Sequence, residues 1–388
     1  IILVIIFYGG AMKVVFTGGG TGGHVYPALA IASEFKKRGD EEILFVGTQN
    51  GMEAQIVPRE GFDIEFIKAS GFDRESKLSF IKSGIRLIFS LISAIKILRD
   101  FKPDIVVGTG GYVSASVLMA ANFLKIPTYI HEQNAVPGLV NRKLSKKAKT
   151  AFAGFEAACK LLGNNAYYCG NPVRDEFGLV PKEKARKELD VAADEFVIFA
   201  VGGSQGARTI NEFLLGALKD FVKRDIRMVV SAGRKSFDEV VSRAGKILDC
   251  TFRIEGENGY MSAVCDKIHI FEYIENMPLC MAASDLVIAR GGALTVAEIC
   301  ASFKPAIYVP FPFAVGNHQY YNAKAVADVG GGIIMEEKDL TEEKVMCLID
   351  GFCKDMKVLE DMGKNAGKAA RRNAAKDIVD VIKRSGAS

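Results

Sequence analysis

Residues 16–28 read FTGGGTGGHVYPA, and their reading decides how this chain folds. The residues before them, Lys13-Val14-Val15-Phe16, are apolar and β-branched, as in a strand. The residues after them, VYPALAIASEFKKRG, carry apolar side chains at helical spacing. A strand, a glycine-rich turn and a helix therefore follow one another. Gly18, Gly19, Gly20, Gly22 and Gly23 leave almost no side chains between the backbone and an approaching group. Amides at a helix start attract anions, so phosphate is the expected guest. His24 closes the turn and puts an imidazole, a group able to carry a proton, beside that guest.

The spacing of Gly18, Gly20 and Gly23 also fits the dinucleotide fingerprint, which requires an acidic residue at the end of the next strand. That strand, EEILFV, ends in Gly47-Thr48-Gln49, and Glu53 comes only later. A nicotinamide-dependent dehydrogenase is disfavoured on that absence.

A chain of 388 residues exceeds one ordinary core and suggests two domains. Its 49% hydrophobic and 25% charged residues are the composition of a folded globular protein. The eight cysteines show neither a CxxC pair nor a Cys/His cluster, so reduced thiols and no structural zinc are expected. Residues 1–170 hold 20 Lys and Arg against 14 Asp and Glu; the remainder holds 30 against 32. The positive half suits an anionic lipid face or an anionic substrate. Basic residues are not interleaved with aromatics and Trp is absent, which argues against nucleic acid. The opening IILVIIFYGG is too short to span a bilayer and lacks a basic n-region and a cleavage-site pattern, so a signal peptide is not expected. Because the chain opens on Ile, Met12 reads as the natural start. No stretch offers eighteen uncharged apolar residues, and a membrane crossing is not expected.

Strand-like runs alternate with helical ones throughout, the pattern of parallel βαβ units. The first half offers KVVFT, EILFV, IEFIKA, DIVVGT, PTYIHE, KTAFA and AYYCG. After Asn171-Pro172 and the charged PKEKARKELD the pattern restarts with EFVIFAVGGSQGARTINEFLLGALKDF. AVGGSQGAR repeats the plan of FTGGGTGGH: apolar strand, glycine-rich turn with a hydroxyl residue, then helix. Two Rossmann-like halves with a cleft between them follow. The expected domains are 12–173 and 174–370, with a closing helix over 371–388 packing back on the first.

The second turn, Gly202-Gly203-Ser204-Gln205-Gly206, lacks the Lys-Ser/Thr pair of a P-loop, so ATP hydrolysis is not indicated. By itself it also reads as a tight strand-to-helix turn. In DLVIARGGALTVAEICASFKPAIYVPF, a buried strand runs into Arg290-Gly291-Gly292, and a helix begins near Leu294. Thr295 and Glu298 lie three apart and share a face, where a carboxylate can accept from both hydroxyls of a ribose. The competing reading is a capping pair. His318 and Gln319 follow a proline-bounded strand, and an amide side chain suits sugar hydroxyls. His131-Glu132-Gln133-Asn134 and Gly110-Gly111-Tyr112 stand at strand C-terminal ends, where open α/β sheets bind ligands. Arg174 lies at the interdomain crossing, within reach of an anion.

Taken in order, GGGTGGHVYPALA, GTGGYVS, HEQN, GNPVR, GGSQGA, RGGALTVAEI and NHQYYNA resemble the MurG family, and the resemblance spans nearly the whole chain from Met12. It implies an α/β, GT-B architecture: two Rossmann-like domains with parallel sheets facing a central cleft. It further implies UDP-N-acetylglucosamine (UDP-GlcNAc) as donor and lipid-linked N-acetylmuramyl-pentapeptide, lipid I, as acceptor, with lipid II as product. The family's donor-binding roles fall on Thr21, Gly22, Gly23, Asn134, Arg174, Ser204, Ile274 and Gln319, and on Ala293, Leu294, Thr295, Val296, Ala297 and Glu298. Gly18, Gly19, Gly20 and Tyr112 fall on the acceptor side. One departure is visible: Asn317 stands where many members have Asp before the His-Gln pair.

A transfer that turns an α-linked sugar nucleotide into a β-linked product is a single displacement with inversion. It needs a base for the acceptor hydroxyl and stabilisation of the departing diphosphate. His24 is the base candidate; alternatively it only hydrogen-bonds the acceptor or the turn. Amides around Ser204, together with Thr295 and Arg174, are the candidates for holding the leaving group. No Asp-x-Asp pair occurs, so a metal bridging the diphosphate is not required, and no cofactor is expected. The acceptor's lipid implies peripheral contact with the cytoplasmic face of the cell membrane. Residues 72–101 combine apolar bulk with Arg74, Lys77, Lys82, Arg86, Lys96 and Arg99. Ile85–Leu98 is apolar almost all round, as in a buried crossover helix, and the expectation is that Leu78, Phe80 and Ile81 are exposed and the remainder of the segment is core. Rival readings are another GT-B enzyme, such as a glycolipid synthase or sugar-nucleotide epimerase, and a non-catalytic nucleotide-sugar sensor. Other wall-building or division proteins as partners are not legible in these residues.

Overall fold

The structure is a computed structural model that describes residues 12–39, 41–69, 77–203, 206–257 and 259–386, leaving out the side chains of 77–85 and 386. Contacts divide the chain into two compact units, Ile1–Pro172 with Asn373–Ser388, and Val173–Arg372.

The first unit holds a seven-stranded sheet. Its strands are β1 (Lys13–Gly18), β2 (Glu42–Gly47), β3 (Asp63–Phe66), β4 (Ile105–Gly110), β5 (Thr128–Glu132), β6 (Thr150–Ala153) and β7 (Ala166–Tyr168). The spatial order is β3-β2-β1-β4-β5-β6-β7 and every pairing is parallel. Strands buried on both faces carry apolar residues without alternation, which is why KVVF and DIVV read as continuous apolar runs. Val14 and Phe16 pack on one side with Phe35, Phe45 and Val107; Val15 packs on the other with Val46, Val106 and Leu118. The Phe16 and Phe45 rings stack at 5.4 Å.

The final helix, Ala374–Gly386, completes the first side by burying Ile378, Val379 and Ile382 in that core. Arg38 pairs with Asp380, and Lys383 pairs with Glu41 at 2.5 Å.

The second unit holds β8 (Phe196–Val201), β9 (Ile226–Ser231), β10 (Arg253–Glu257), β11 (Tyr260–Cys265), β12 (Ile268–Phe271), β13 (Leu286–Ala289), β14 (Ala306–Tyr308) and β15 (Ile333–Ile334). Their order is β10-β11-β12-β9-β8-β13-β14-β15. The run from β12 to β15 repeats the doubly wound order of the first sheet. Ligands bind such sheets where the order reverses, beyond the carboxyl ends of β1 and β4 here, and of β8 and β13.

One edge departs from the expected all-parallel plan, since β10-β11 and β11-β12 pair antiparallel. Glu257 lies opposite Tyr260, and the sequence between them reads Asn-Gly, the dipeptide favoured in two-residue hairpins.

The helix Lys77–Phe101 corrects a second expectation. Ala94, Ile97 and Leu98 are core, but Ile88, Phe89 and Ile92 are 58%, 61% and 56% exposed. Positions 88, 89 and 92 share one helical face, and no element covers it among the described residues. Leu78, Phe80 and Ile81 have side chains outside the described residues. Among the described residues no helix is long and apolar enough to cross a membrane.

Candidate active site

Each unit gathers its glycine-rich turns at the C-terminal ends of its own central strands. In the first, β1 ends at Gly18 and the helix Gly22–Arg38 begins after Thr21, whose backbone is extended (φ −139°, ψ 155°). The Thr21 carbonyl accepts the amides of His24 at 3.1 Å and Val25 at 3.2 Å. The end of β4 presses against this turn, and the Gly19 amide donates to Gly110 O at 3.3 Å. Only glycine permits that approach. Gly110 and Gly111 have φ of +116° and +86°, and a Cβ on them would sit 2.6 Å from His24 Nδ1 and 2.5 Å from Gly19 O.

The expectation of bare amides along the first turn is corrected at Gly19, whose amide Gly110 O takes up, and at Gly20. Gly20 donates to Glu53 Oε2 at 2.9 Å, while Thr48 donates its amide and hydroxyl to Glu53 Oε1 at 2.9 and 2.7 Å. Glu53 is 1% exposed and sits at the start of the helix Glu53–Arg59. It braces the turn against the end of β2. The sequence hint was its position just after that strand, where it reads as a failed ribose acid rather than as a brace.

His24 Nδ1 lies 3.1 Å from Thr109 O and 3.3 Å from Gln133 Oε1. Gln133 Nε2 reaches Thr109 O at 2.8 Å, His131 Nδ1 at 3.0 Å and His131 O at 3.1 Å. His131 is fully buried, its Nε2 stands 3.2 Å from Gly170 O, and burial pushes its pKa down to about 4. Glu132 is buried as well. Its carboxylate accepts from the Asn134 amide at 2.9 Å, the Gly138 amide at 3.1 Å and Asn141 Nδ2 at 2.9 Å, which orders the loop after β5. Of the four residues HEQN, only Asn134 keeps partial exposure. Tyr112 is exposed at the start of the helix Tyr112–Phe123.

In the second unit, Ser204 and Gln205 lie outside the described residues. Around them Gly206 donates its amide to Gly203 O at 2.9 Å, and the helix Arg208–Lys223 follows. Past β13, Gly292 precedes the helix Ala293–Ala301 and makes no side-chain cap. Thr295 thus sits inside the helix, and the capping-pair reading of Thr295 and Glu298 fails. Burial raises the Glu298 pKa to about 7, against the opposing charge of Arg174. Arg174 itself is exposed, with its guanidinium 5.3 Å over the Phe177 ring. Ala293 and Val296 are buried, Leu294, Thr295 and Ala297 are half-buried, and Ile274 is core.

The strand-to-helix turn at Gly291 is tied to the NHQYYNA segment. Asn322 Nδ2 donates to Gly291 O at 3.0 Å, and Gln319 Oε1 accepts the Phe311 amide at 2.9 Å. Asn317 adopts a left-handed conformation (φ 53°) just before the helix His318–Ala327. The contacts of Asn322 and of Gln133, which the sequence places only within the NHQYYNA and HEQN runs, escaped that reading because they are made with groups remote along the chain. Among the described residues, no group of three or more His, Cys, Asp or Glu is arranged to hold a metal ion.

Comparison with known proteins agrees with this plan. Residues 14–153 match the glycosyltransferase family 28 N-terminal domain and residues 197–380 match its C-terminal domain. The chain is 40% identical over 375 residues, 96% of its length, to a protein of Thermoanaerobacter sp. (strain X514), covering 99% of that relative. The relative is named UDP-N-acetylglucosamine–N-acetylmuramyl-(pentapeptide) pyrophosphoryl-undecaprenol N-acetylglucosamine transferase. The crystal structure of Acinetobacter baumannii MurG superposes with a TM-score of 0.73 at 28% identity, over 97% of this chain and 100% of that one. A UDP-GlcNAc 2-epimerase from Neisseria meningitidis shares the fold alone, with a TM-score of 0.68 at 16% identity over 96% of this chain and 100% of that one. With two doubly wound units, both family 28 domains and an end-to-end match to such a transferase, the chain belongs to the MurG family of glycosyltransferases.

Proposed function

We propose that this protein is an inverting hexosyltransferase that moves GlcNAc from UDP-GlcNAc to the 4-hydroxyl of MurNAc in undecaprenyl-pyrophosphoryl-MurNAc-pentapeptide, converting lipid I to lipid II in peptidoglycan synthesis. The observation that carries this reading is His24. It sits on a glycine turn at the point where the strand order reverses, held through Nδ1, in a chain that matches its transferase relatives nearly end to end.

In this reading the acceptor O4 attacks C1 of GlcNAc, and the bond from C1 to the diphosphate oxygen breaks with inversion. His24 Nε2 takes the O4 proton. UDP departs with its charge stabilised by the amides of the 202–206 turn, by Thr295 and by Arg174. Glu298 accepts the ribose hydroxyls, and Gln319 and Asn134 meet the sugar. Gly18, Gly19 and Tyr112 face the acceptor. The amide of Gly20 holds Glu53 and acts there through the shape of the turn.

The lipid acceptor calls for a peripheral seat on the cytoplasmic face of the membrane. The exposed face of Ile88, Phe89 and Ile92, flanked by exposed Arg86, Lys96 and Arg99, supports that seat.

The test is to incubate the full chain with labelled UDP-GlcNAc and a soluble lipid I analogue, with diacylglycerol as the competing acceptor. A β-1,4 disaccharide and UDP release with the lipid I analogue alone are expected. Release with diacylglycerol would make the protein a glycolipid synthase, and binding without turnover would make it a sensor.

A further inference from the structure

We infer that Gln133 and His131 are positioning residues that hold His24 in the tautomer with its proton on Nδ1, leaving the Nε2 lone pair free. The inference rests on the reading of His24 as the base.

The argument starts at the buried end of the chain of contacts. Gly170 O only accepts, so His131 Nε2, 3.2 Å away, carries a hydrogen. A neutral imidazole then has a lone pair on Nδ1. That lone pair faces Gln133 Nε2 at 3.0 Å, so the NH₂ group of the amide points toward it. The other contacts of the NH₂ group, Thr109 O and His131 O, accept too. Turning the amide over would set its oxygen against two carbonyls and a lone pair, so its orientation is fixed. Gln133 Oε1 is therefore the atom that meets His24 Nδ1 at 3.3 Å, with Thr109 O beside it at 3.1 Å. Two acceptors facing one ring nitrogen require a hydrogen there.

Burial keeps this arrangement in place. His131 and Gln133 are 0% and 2% exposed, and burial keeps His131 neutral well into the acid range. The Gln133 carbonyl accepts from Asn171 Nδ2 at 3.0 Å, which pins the residue from the side of the segment that ends the first unit. A base whose ring nitrogen is oriented by a second group, itself oriented by a third, is the general design of histidine catalysis.

The experiment uses the full chain labelled with ¹⁵N-histidine, since four histidines give few enough signals to assign by substitution. Long-range ¹H–¹⁵N spectra in mildly alkaline buffer read each tautomer, and steady-state kinetics read kcat and KM. His24 is expected with its hydrogen on Nδ1. In Gln133→Met, Thr109 O alone still faces Nδ1 at 3.1 Å, so the tautomer with its hydrogen on Nε2 is expected to gain population. There kcat is expected down about two- to tenfold, the range one hydrogen bond supplies, and KM for UDP-GlcNAc within about twofold. His131→Asn retains an acceptor for Gln133 and is expected to keep most of kcat, whereas His131→Phe is not. A hydrogen on Nε2 of His24 in the parent protein would overturn the inference. So would a Gln133→Met protein whose kcat falls while the tautomer populations do not change, because that is a purely structural effect. If Gln133→Met does not fold, the parent spectrum and the two His131 variants decide. Native turnover by His24→Ala would instead sink the base reading and leave the tautomer result standing.

Discussion

The amide of Gly20 donates to the carboxylate of Glu53 at 2.9 Å, which ties the first glycine turn to the residue that follows β2. Glu53→Gln keeps the size of the side chain and removes its charge, so three backbone and hydroxyl donors lose a charged acceptor. The loss is expected to be about 1–3 kcal/mol, read as a lower urea midpoint, together with reduced turnover from a misplaced turn. Unchanged stability would show that the brace is dispensable.

On the proposed mechanism, His24→Ala removes the base without touching the core. A fall in kcat of about 10²- to 10⁴-fold is expected, with a native urea midpoint. Release of UDP in the presence of the acceptor analogue measures it, and near-normal turnover excludes the base role.

With Glu298 holding the ribose as proposed, the pH dependence of donor binding follows from it. Burial raises its pKa to about 7, and only the carboxylate accepts from both ribose hydroxyls. The interaction is thus present above about 7 and lost below it. Calorimetric titration with UDP-GlcNAc is expected to show affinity rising from about pH 6 to about pH 8. Glu298→Gln should bind weakly with no such slope. Arg174→Ala should move the transition upward, because the charge of Arg174 opposes the shift.

Stability in acid follows from His131. Unfolded, the imidazole takes a proton near its ordinary 6.5; folded, it stays neutral down to about 4. The unfolded chain therefore binds the extra proton between those values, and stability falls as pH drops through that window, by about 3 kcal/mol in the limit. His269 is held down to about 4 by burial and Arg227 and acts in the same direction. Urea midpoints between about pH 7 and pH 4 should show the slope, reduced by about half in His131→Asn. An undiminished slope in that variant would assign the effect elsewhere.

Membrane contact is tested at the exposed helical face. Ile88→Asp with Phe89→Asp is expected to abolish co-flotation with anionic liposomes and to spare turnover of a soluble acceptor analogue. Neither residue supports the core, so folding should survive. Flotation that persists would remove this face as the seat.

Much of the architecture was legible because its signals are local. Glycine-rich turns between apolar runs and helical spacing mark βαβ units wherever they occur, and the seven apolar runs of the first half became seven parallel strands in one sheet. The hairpin of β10 and β11 carries its own local signal in Asn258-Gly259, which a parallel pattern elsewhere overshadowed.

The side chains that brace and orient the site were another matter. Glu53 meets Gly20 across 33 positions, and Gln133 meets His24 across 109. A carboxylate or an amide has the same local preferences whether it meets a ribose, a backbone amide or an imidazole, and only folding brings one of these within 3.5 Å. The same holds for Ile88, Phe89 and Ile92, whose apolar pattern is that of a buried helix. Composition and spacing thus settled the strands of the first sheet and where its glycine turns lie. Packing decided which polar groups hold those turns and which apolar ones stay uncovered, because hydrogen bonding and burial depend on neighbours remote along the chain.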